Sequence, residues 1–132
     1  MIIGIGNDLS DITRVAKVLS GSAGRRFMQR VLTEGERELA EHYSGERLHQ
    51  FVAGRFAAKE AVVKAFGCGI GQVMGFADIE ILRDSCGKPE CGLSAAAWER
   101  LGLSSKDVRI HVTITHERQL ASAFAVAERI SQ

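Results

Sequence analysis

A run of helical sequence from near Glu46 to Phe66 leaves little freedom in how the rest of this chain can be arranged, because its charges stand inside its apolar surface instead of opposite it. At about 100° of rotation per residue, Arg55 and Lys59 share an arc with Leu48, Phe51, Val52 and Phe66, and Glu60 lies beside Phe56 and Val63. Lys64 follows Glu60 by one helical turn. Charges in such places are costly unless they are paired or meet a ligand. Two readings follow: structural ion pairs whose long stems reach to water, or contacts to something bound. Gly67 supplies a helix stop, so this segment is expected to be the central element.

The flanking sequence supplies short elements of both kinds. Ile2, Ile3 and Ile5, interrupted by Gly4 and Gly6, form a β-branched run that predicts a buried strand emptying into a loop at Asn7-Asp8. Ser10 or Asp11 can cap a helix to about Leu19. A second helix is expected over Gly24 to Leu32, and Thr33 with Glu36 makes a capping box for a third through Tyr43. Ala77 to Leu82 alternates as a strand, and the turn chemistry of Asp84 to Pro89 predicts a hairpin. A helix from Ser94 to about Leu101 follows. Val108, Ile110, Val112 and Ile114 then define a strand with one apolar face. The last segment, Gln119 to Ile130, is rich in alanine, and propensity alone predicts a helix, although a strand would also bury Phe124 and Val126.

At 132 residues, 45% of them hydrophobic, the chain fits one domain spanning 1–132 with a single core. Its 17 Lys and Arg nearly balance 16 Asp and Glu, which excludes a nucleic-acid coating protein and a disordered acidic tail. Cys68, Cys86 and Cys91 lack zinc-knuckle or CxxC spacing, so a reducing compartment is expected. The apolar opening reaches Asp8 too soon for a signal-peptide core, and the longest uncharged stretch, Ala65 to Ala77, is too short and glycine-rich to span a membrane. The expectation is a soluble, cytoplasmic protein that engages neither membrane nor nucleic acid.

Several residues are candidates for chemistry. Asp8, just past a glycine-flanked strand, is a turn former or a metal ligand. With Glu60 it offers two hard carboxylates from different elements, a supply suited to Mg²⁺ holding its other positions with water and phosphate. Gly4-Ile5-Gly6 is no dinucleotide fingerprint, and the Gly67-Cys68-Gly69-Ile70-Gly71 loop follows a helix, where the dipole repels phosphate. His116 closes the strand on its apolar parity, which points first to a satisfied buried histidine and second to a catalytic or phosphate-contacting one. From Ile12 to Thr33 the chain carries Arg14, Lys17, Arg25, Arg26 and Arg30 without an acidic residue. That block is either a solvated face or a docking surface for an acidic partner.

In this order the motifs resemble the holo-acyl-carrier-protein synthase family, the small bacterial phosphopantetheinyl transferases, over nearly the whole chain. The most specific are Gly4-Ile5-Gly6-Asn7-Asp8 and the helix from Phe51 to Ala61 with Lys64-Ala65. Asp78-Ile79-Glu80, Gly87-Lys88-Pro89 and the strand His111 to His116 add support. The resemblance implies an α+β fold, with a small antiparallel sheet packed against a long central helix and shorter helices, and makes the C-terminal segment a strand. It implies Mg²⁺ on Asp8 and Glu60, Lys64 beside the phosphates of coenzyme A, and a homotrimer with active sites between subunits. Arg55 and His116 become candidate contacts for coenzyme A phosphates, and Glu60 and Lys64 the candidate catalytic pair. Arg14, Arg25 and Arg26 become candidate contacts for acyl carrier protein, the substrate modified for fatty acid biosynthesis. Asn7 fills a position that varies in the family, and Cys68 stands where threonine is common. The rival expectation is a non-enzymatic module that uses its basic helices on RNA or an acidic protein.

Overall fold

The computed structural model describes residues 1–130. Strand β1 (Ile2–Asp11) opens the chain and runs antiparallel to β5 (Leu120–Arg129), which pairs on its other side with β4 (Val108–His116), giving the order β1-β5-β4. Between them come helices α1 (Ile12–Ser20), α2 (Gly24–Val31), α3 (Glu34–Ala40) and α4 (Gly45–Ala65). The hairpin β2 (Ile79–Arg83) and β3 (Pro89–Leu93) and helix α5 (Ala95–Leu101) follow. The fold is α+β, as the resemblance implied. No described helix is long and apolar enough to cross a membrane.

One expectation is overturned, and one conflict between two readings is resolved. Asp8 does not sit in a loop: β1 continues to Asp11, and Asp8 pairs with Ala123 inside the ladder. The final segment is a strand, as the resemblance implied and against the helix that its alanines favour. Ala121, Ala123, Ala125 and Ala127 alternate along β5, all buried, and this small face lies against α4. Burial between two partner strands overrides the helix propensity of alanine here. Smaller boundary shifts also occur. A short 3-10 turn at Phe76–Asp78 precedes β2, which starts at Ile79, and α3 stops at Ala40, short of Tyr43.

The caps read from sequence are present. Asp11 accepts from the amides of Thr13 and Arg14 at 2.9 and 3.2 Å, starting α1. Thr33 and Glu36 form the reciprocal capping box of α3. Ser94 caps α5 through the amide of Ala97. Such caps contribute about 1 kcal/mol each by satisfying amides that the first turn leaves free.

Helix α4 crosses the inner face of the sheet at unusually short range. A Cβ built on Gly4 would lie 2.1 Å from the Ala65 carbonyl oxygen, and one on Gly6 would lie 1.9 Å from that of Ala61. Only hydrogen fits between this strand and this helix, and that closeness brings Asp8 against the last turns of α4. Gly6→Ala should therefore push α4 off the sheet and lower stability by about 3 kcal/mol, the upper end of ordinary overpacking costs. Urea unfolding checks this, and an unchanged midpoint would mean that the backbones separate without strain.

Beyond Gln50, α4 is buried on every side except along one stripe. Between Phe51 and Ala65 only Phe56, Glu60 and Lys64 are not fully buried, and they are four residues apart. The charges seen in sequence thus divide. Lys59 is fully buried and donates to Glu36 Oε1 at 2.6 Å, to the Val31 carbonyl at 2.7 Å and to the Phe76 carbonyl at 3.0 Å. Burial lowers its pKa, and the Glu36 carboxylate opposes that shift. Glu60 and Lys64 lie instead on the open stripe.

Candidate active site

The open stripe of α4 faces β1. Lys64 Nζ donates to Asp8 Oδ1 and to the Asn7 carbonyl, both at 3.0 Å. The Lys64 side chain is 52% exposed and that of Asp8 19%, so the ammonium is reachable from solvent while the carboxylate is partly walled in. The pKa of Glu60 is raised above the ordinary glutamate value, first by partial burial and then by the Asp8 charge, with Lys64 acting in the opposite direction. Two carboxylates that repel each other beside one lysine form a cluster short of positive charge.

That donor set fits a hard divalent cation. Among the described residues no group of three or more His, Cys, Asp or Glu side chains is placed to hold a metal. Mg²⁺ is commonly bound through one or two carboxylates, with substrate phosphates and water completing its octahedron, and Asp8 with Glu60 match that supply. Glu60 also lines an open cleft of about 600 Å³, whose other walls include Arg30, Phe56, Ile70 and Phe76.

A second cleft, of about 460 Å³, lies elsewhere on the chain and contains none of these three residues. It gathers Arg47, Arg55, Arg83, Tyr43, Pro89 and His116, and no acidic side chain lines it. Arg55 donates its Nε to the Ile81 carbonyl at 3.0 Å and lies over the Phe51 ring at 4.5 Å. Its Nη2 is buried without a hydrogen-bond partner. An unpaired guanidinium nitrogen costs about 1–3 kcal/mol, and an anionic ligand would remove that cost. His116 is exposed here, not the satisfied buried histidine that its parity pointed to first. Arg55 and Glu60 are roughly 140° apart around α4, and Asp8 and His116 lie on the two edge strands with β5 between them.

This twofold layout is found in a chain whose residues 4–127 match the model of the 4'-phosphopantetheinyl transferase superfamily. The chain belongs to that superfamily. Among the curated phosphopantetheinyl transferases, the holo-[acyl-carrier-protein] synthase of Bacillus cereus is 43% identical over 132 residues, covering 100% of both chains. A holo-(acyl-carrier-protein) synthase of Bacillus anthracis, solved in complex with CoA (3',5'-ADP), superposes with a TM-score of 0.83 at 42% identity and 98% coverage of both chains. The Helicobacter pylori synthase in complex with coenzyme A gives 0.80 at 28% identity, with 94% of this chain and 99% of that one covered.

Measured against the residues expected from sequence, Asp8, Glu60 and Lys64 come together, and Arg55 and His116 form a separate group. Arg14, Arg25 and Arg26 are exposed on α1 and α2, and of these Arg14 lines a small apolar pocket of about 190 Å³ with Val15, Val18, Phe27 and Phe56. Arg47, Arg83 and Tyr43 were missed, because nothing local in sequence shows that the hairpin meets the start of α4. Two motif acids prove architectural. Asp78 accepts from the Gly75 amide and the Ser94 hydroxyl, and Glu80 accepts from the Thr33 hydroxyl.

Proposed function

We propose that this chain transfers the 4'-phosphopantetheine arm of coenzyme A to a serine of apo-acyl carrier protein, releasing adenosine 3',5'-bisphosphate, for fatty acid biosynthesis. The carrying observation is the Asp8–Lys64–Glu60 cluster on the one open stripe of α4, in a chain that matches holo-[acyl-carrier-protein] synthases from end to end. The serine hydroxyl attacks the β-phosphorus of coenzyme A, a new P–O bond forms, and the bond to the bridging oxygen breaks. Such transfer depends on positioning and charge neutralisation more than on covalent help. Asp8 and Glu60 would hold Mg²⁺, which when bound neutralises charge on the pyrophosphate. Lys64, with its exposed ammonium, stabilises or protonates the leaving phosphate. The serine proton passes to Glu60 or to a water beside it.

The basic cleft of Arg55 and His116 suits the remaining phosphate of coenzyme A, yet it does not open onto Asp8 in one chain. Two copies would supply the halves of one site. The sheet face away from α4 exposes Ile5 and Leu9 on β1 and Phe124 on β5, large apolar side chains that a homotrimer would cover. The cytoplasm is the compartment we assign, in keeping with free thiols at Cys68, Cys86 and Cys91. A non-enzymatic module on RNA or an acidic protein would leave the Asp8–Lys64–Glu60 cluster without a role.

Arg14, Arg25 and Arg26 form the surface we assign to the carrier protein, with the apolar pocket beneath Arg14 taking an apolar side chain from it. Reversing Arg14 and Arg25 to Glu should raise KM for the carrier at least about tenfold and flatten its salt dependence, since steering acts within a screening length of about 8 Å. Coenzyme A affinity should hold steady. Carrier kinetics unchanged across a salt series would assign docking to another face. The reaction itself is tested by chromatography: adenosine 3',5'-bisphosphate should appear only when coenzyme A and apo-carrier are both present. Release without the carrier would make the chain a hydrolase.

A further inference from the structure

We infer that the buried Glu36–Lys59 pair is a positioning device that fixes the walls of the Glu60 cleft, an inference that rests on the transfer reaction proposed above. Both side chains are 0% exposed, so neither can touch a substrate. All three ammonium protons of Lys59 are engaged, by Glu36 Oε1 at 2.6 Å, the Val31 carbonyl at 2.7 Å and the Phe76 carbonyl at 3.0 Å. Glu36 is equally committed: Oε1 also accepts from the Thr33 amide and Oε2 from the Ile81 amide, each at 2.8 Å. One ion pair therefore ties the end of α2, the start of α3, the turn before β2, and β2 itself to a single point on α4.

The tied positions are next to the cleft or part of it. Val31 follows Arg30, Phe76 is itself a wall between Gly75 and Ala77, and Lys59 precedes Glu60; the flanking residues Arg30, Gly75, Ala77 and Glu60 all line the cleft. Its walls come from separate segments, so their spacing is set by whatever holds those segments together. Stability alone is a weak reason for such a pair, since apolar residues of similar volume commonly stabilise a core as well or better. An apolar pair cannot grip two carbonyls and an amide from different segments. Transfer chemistry is sensitive to that grip, because a displacement of about 1 Å can cost about a hundredfold in rate.

Glu36→Asp keeps both charges and shortens the tie by one methylene group. The folded variant should bind coenzyme A by calorimetry within about twofold of the wild type, while kcat for carrier modification falls about tenfold or more. The neutral double variant Glu36→Gln/Lys59→Met leaves no unpaired buried charge but removes the donor to the Val31 and Phe76 carbonyls, so its Tm should fall, and kcat measured well below that Tm, where the variant is fully folded, should be similarly reduced. A purely structural pair would make activity follow Tm. Wild-type kcat in either folded variant, or a loss fully accounted for by weaker coenzyme A binding, overturns the inference. If the unaltered chain modifies no carrier, the transfer reading fails first and separately.

Discussion

Glu60→Gln should lower carrier modification by about 10²- to 10⁴-fold, the range for losing a group that moves or holds charge in the transition state, and should do so without lowering Tm. The second half of that expectation follows from the sign of the pKa shift. Glu60 binds its proton more tightly in the folded chain than in the unfolded one, first through partial burial and then through Asp8. Such a group costs stability once it ionises: the folded state loses ground as pH rises from the ordinary glutamate range through the raised value. Glutamine carries no charge to desolvate or to oppose Asp8, so thermal melts run without Mg²⁺ above that window should place the variant at or above the wild type. Full activity in Glu60→Gln would remove the residue from the reaction. A large fall in Tm would instead make Glu60 an architectural residue that the open stripe merely exposes.

Mixing two inactive variants should restore activity. Asp8→Ala removes one half of the proposed site, and Arg47→Ala with His116→Ala removes the other by stripping an exposed guanidinium and an exposed imidazole from the basic cleft. Each protein alone should be at least about a hundredfold slower than the wild type. Unfolded and refolded together in equal amounts, they should regain about a quarter of wild-type turnover, because random assortment around a ring pairs an intact half with an intact half at one interface in four. Separately refolded samples mixed afterwards should stay inactive until subunits exchange. Failure to recover any activity after joint refolding, with the assembly size unchanged, would mean that each chain works from its own two clefts.

The sequence was most informative where structure is decided locally. The Thr33–Glu36 box, the Asp11 cap and the alternation of β4 each depend on residues within a few positions, and all three are present. The glycines of β1 were recognised as unsuited to a nucleotide cradle, but their use in admitting α4 depends on a helix far along the chain. β5 was misread by propensity, although the every-second-residue spacing of its alanines was the available signal; it means a strand only once a close-packed helix is known to cover that face. The charges of α4 show the same limit. Helical spacing puts Lys59 and Lys64 on different faces, but it does not show that Lys59 is paired, since its partner Glu36 lies 23 residues earlier. The basic cleft joins Arg47 at the start of α4 to Arg83 at the end of β2, so the sequence alone points only to Arg55 on α4 and His116 on β4.

The most direct measurement is the intact mass of an apo-acyl carrier protein after incubation with this chain, coenzyme A and Mg²⁺. A gain of one phosphopantetheine arm on the carrier serine is expected, absent when Mg²⁺ is chelated and absent with Asp8→Ala. A carrier whose mass is unchanged while the chain is folded and binds coenzyme A would contradict the proposed transfer.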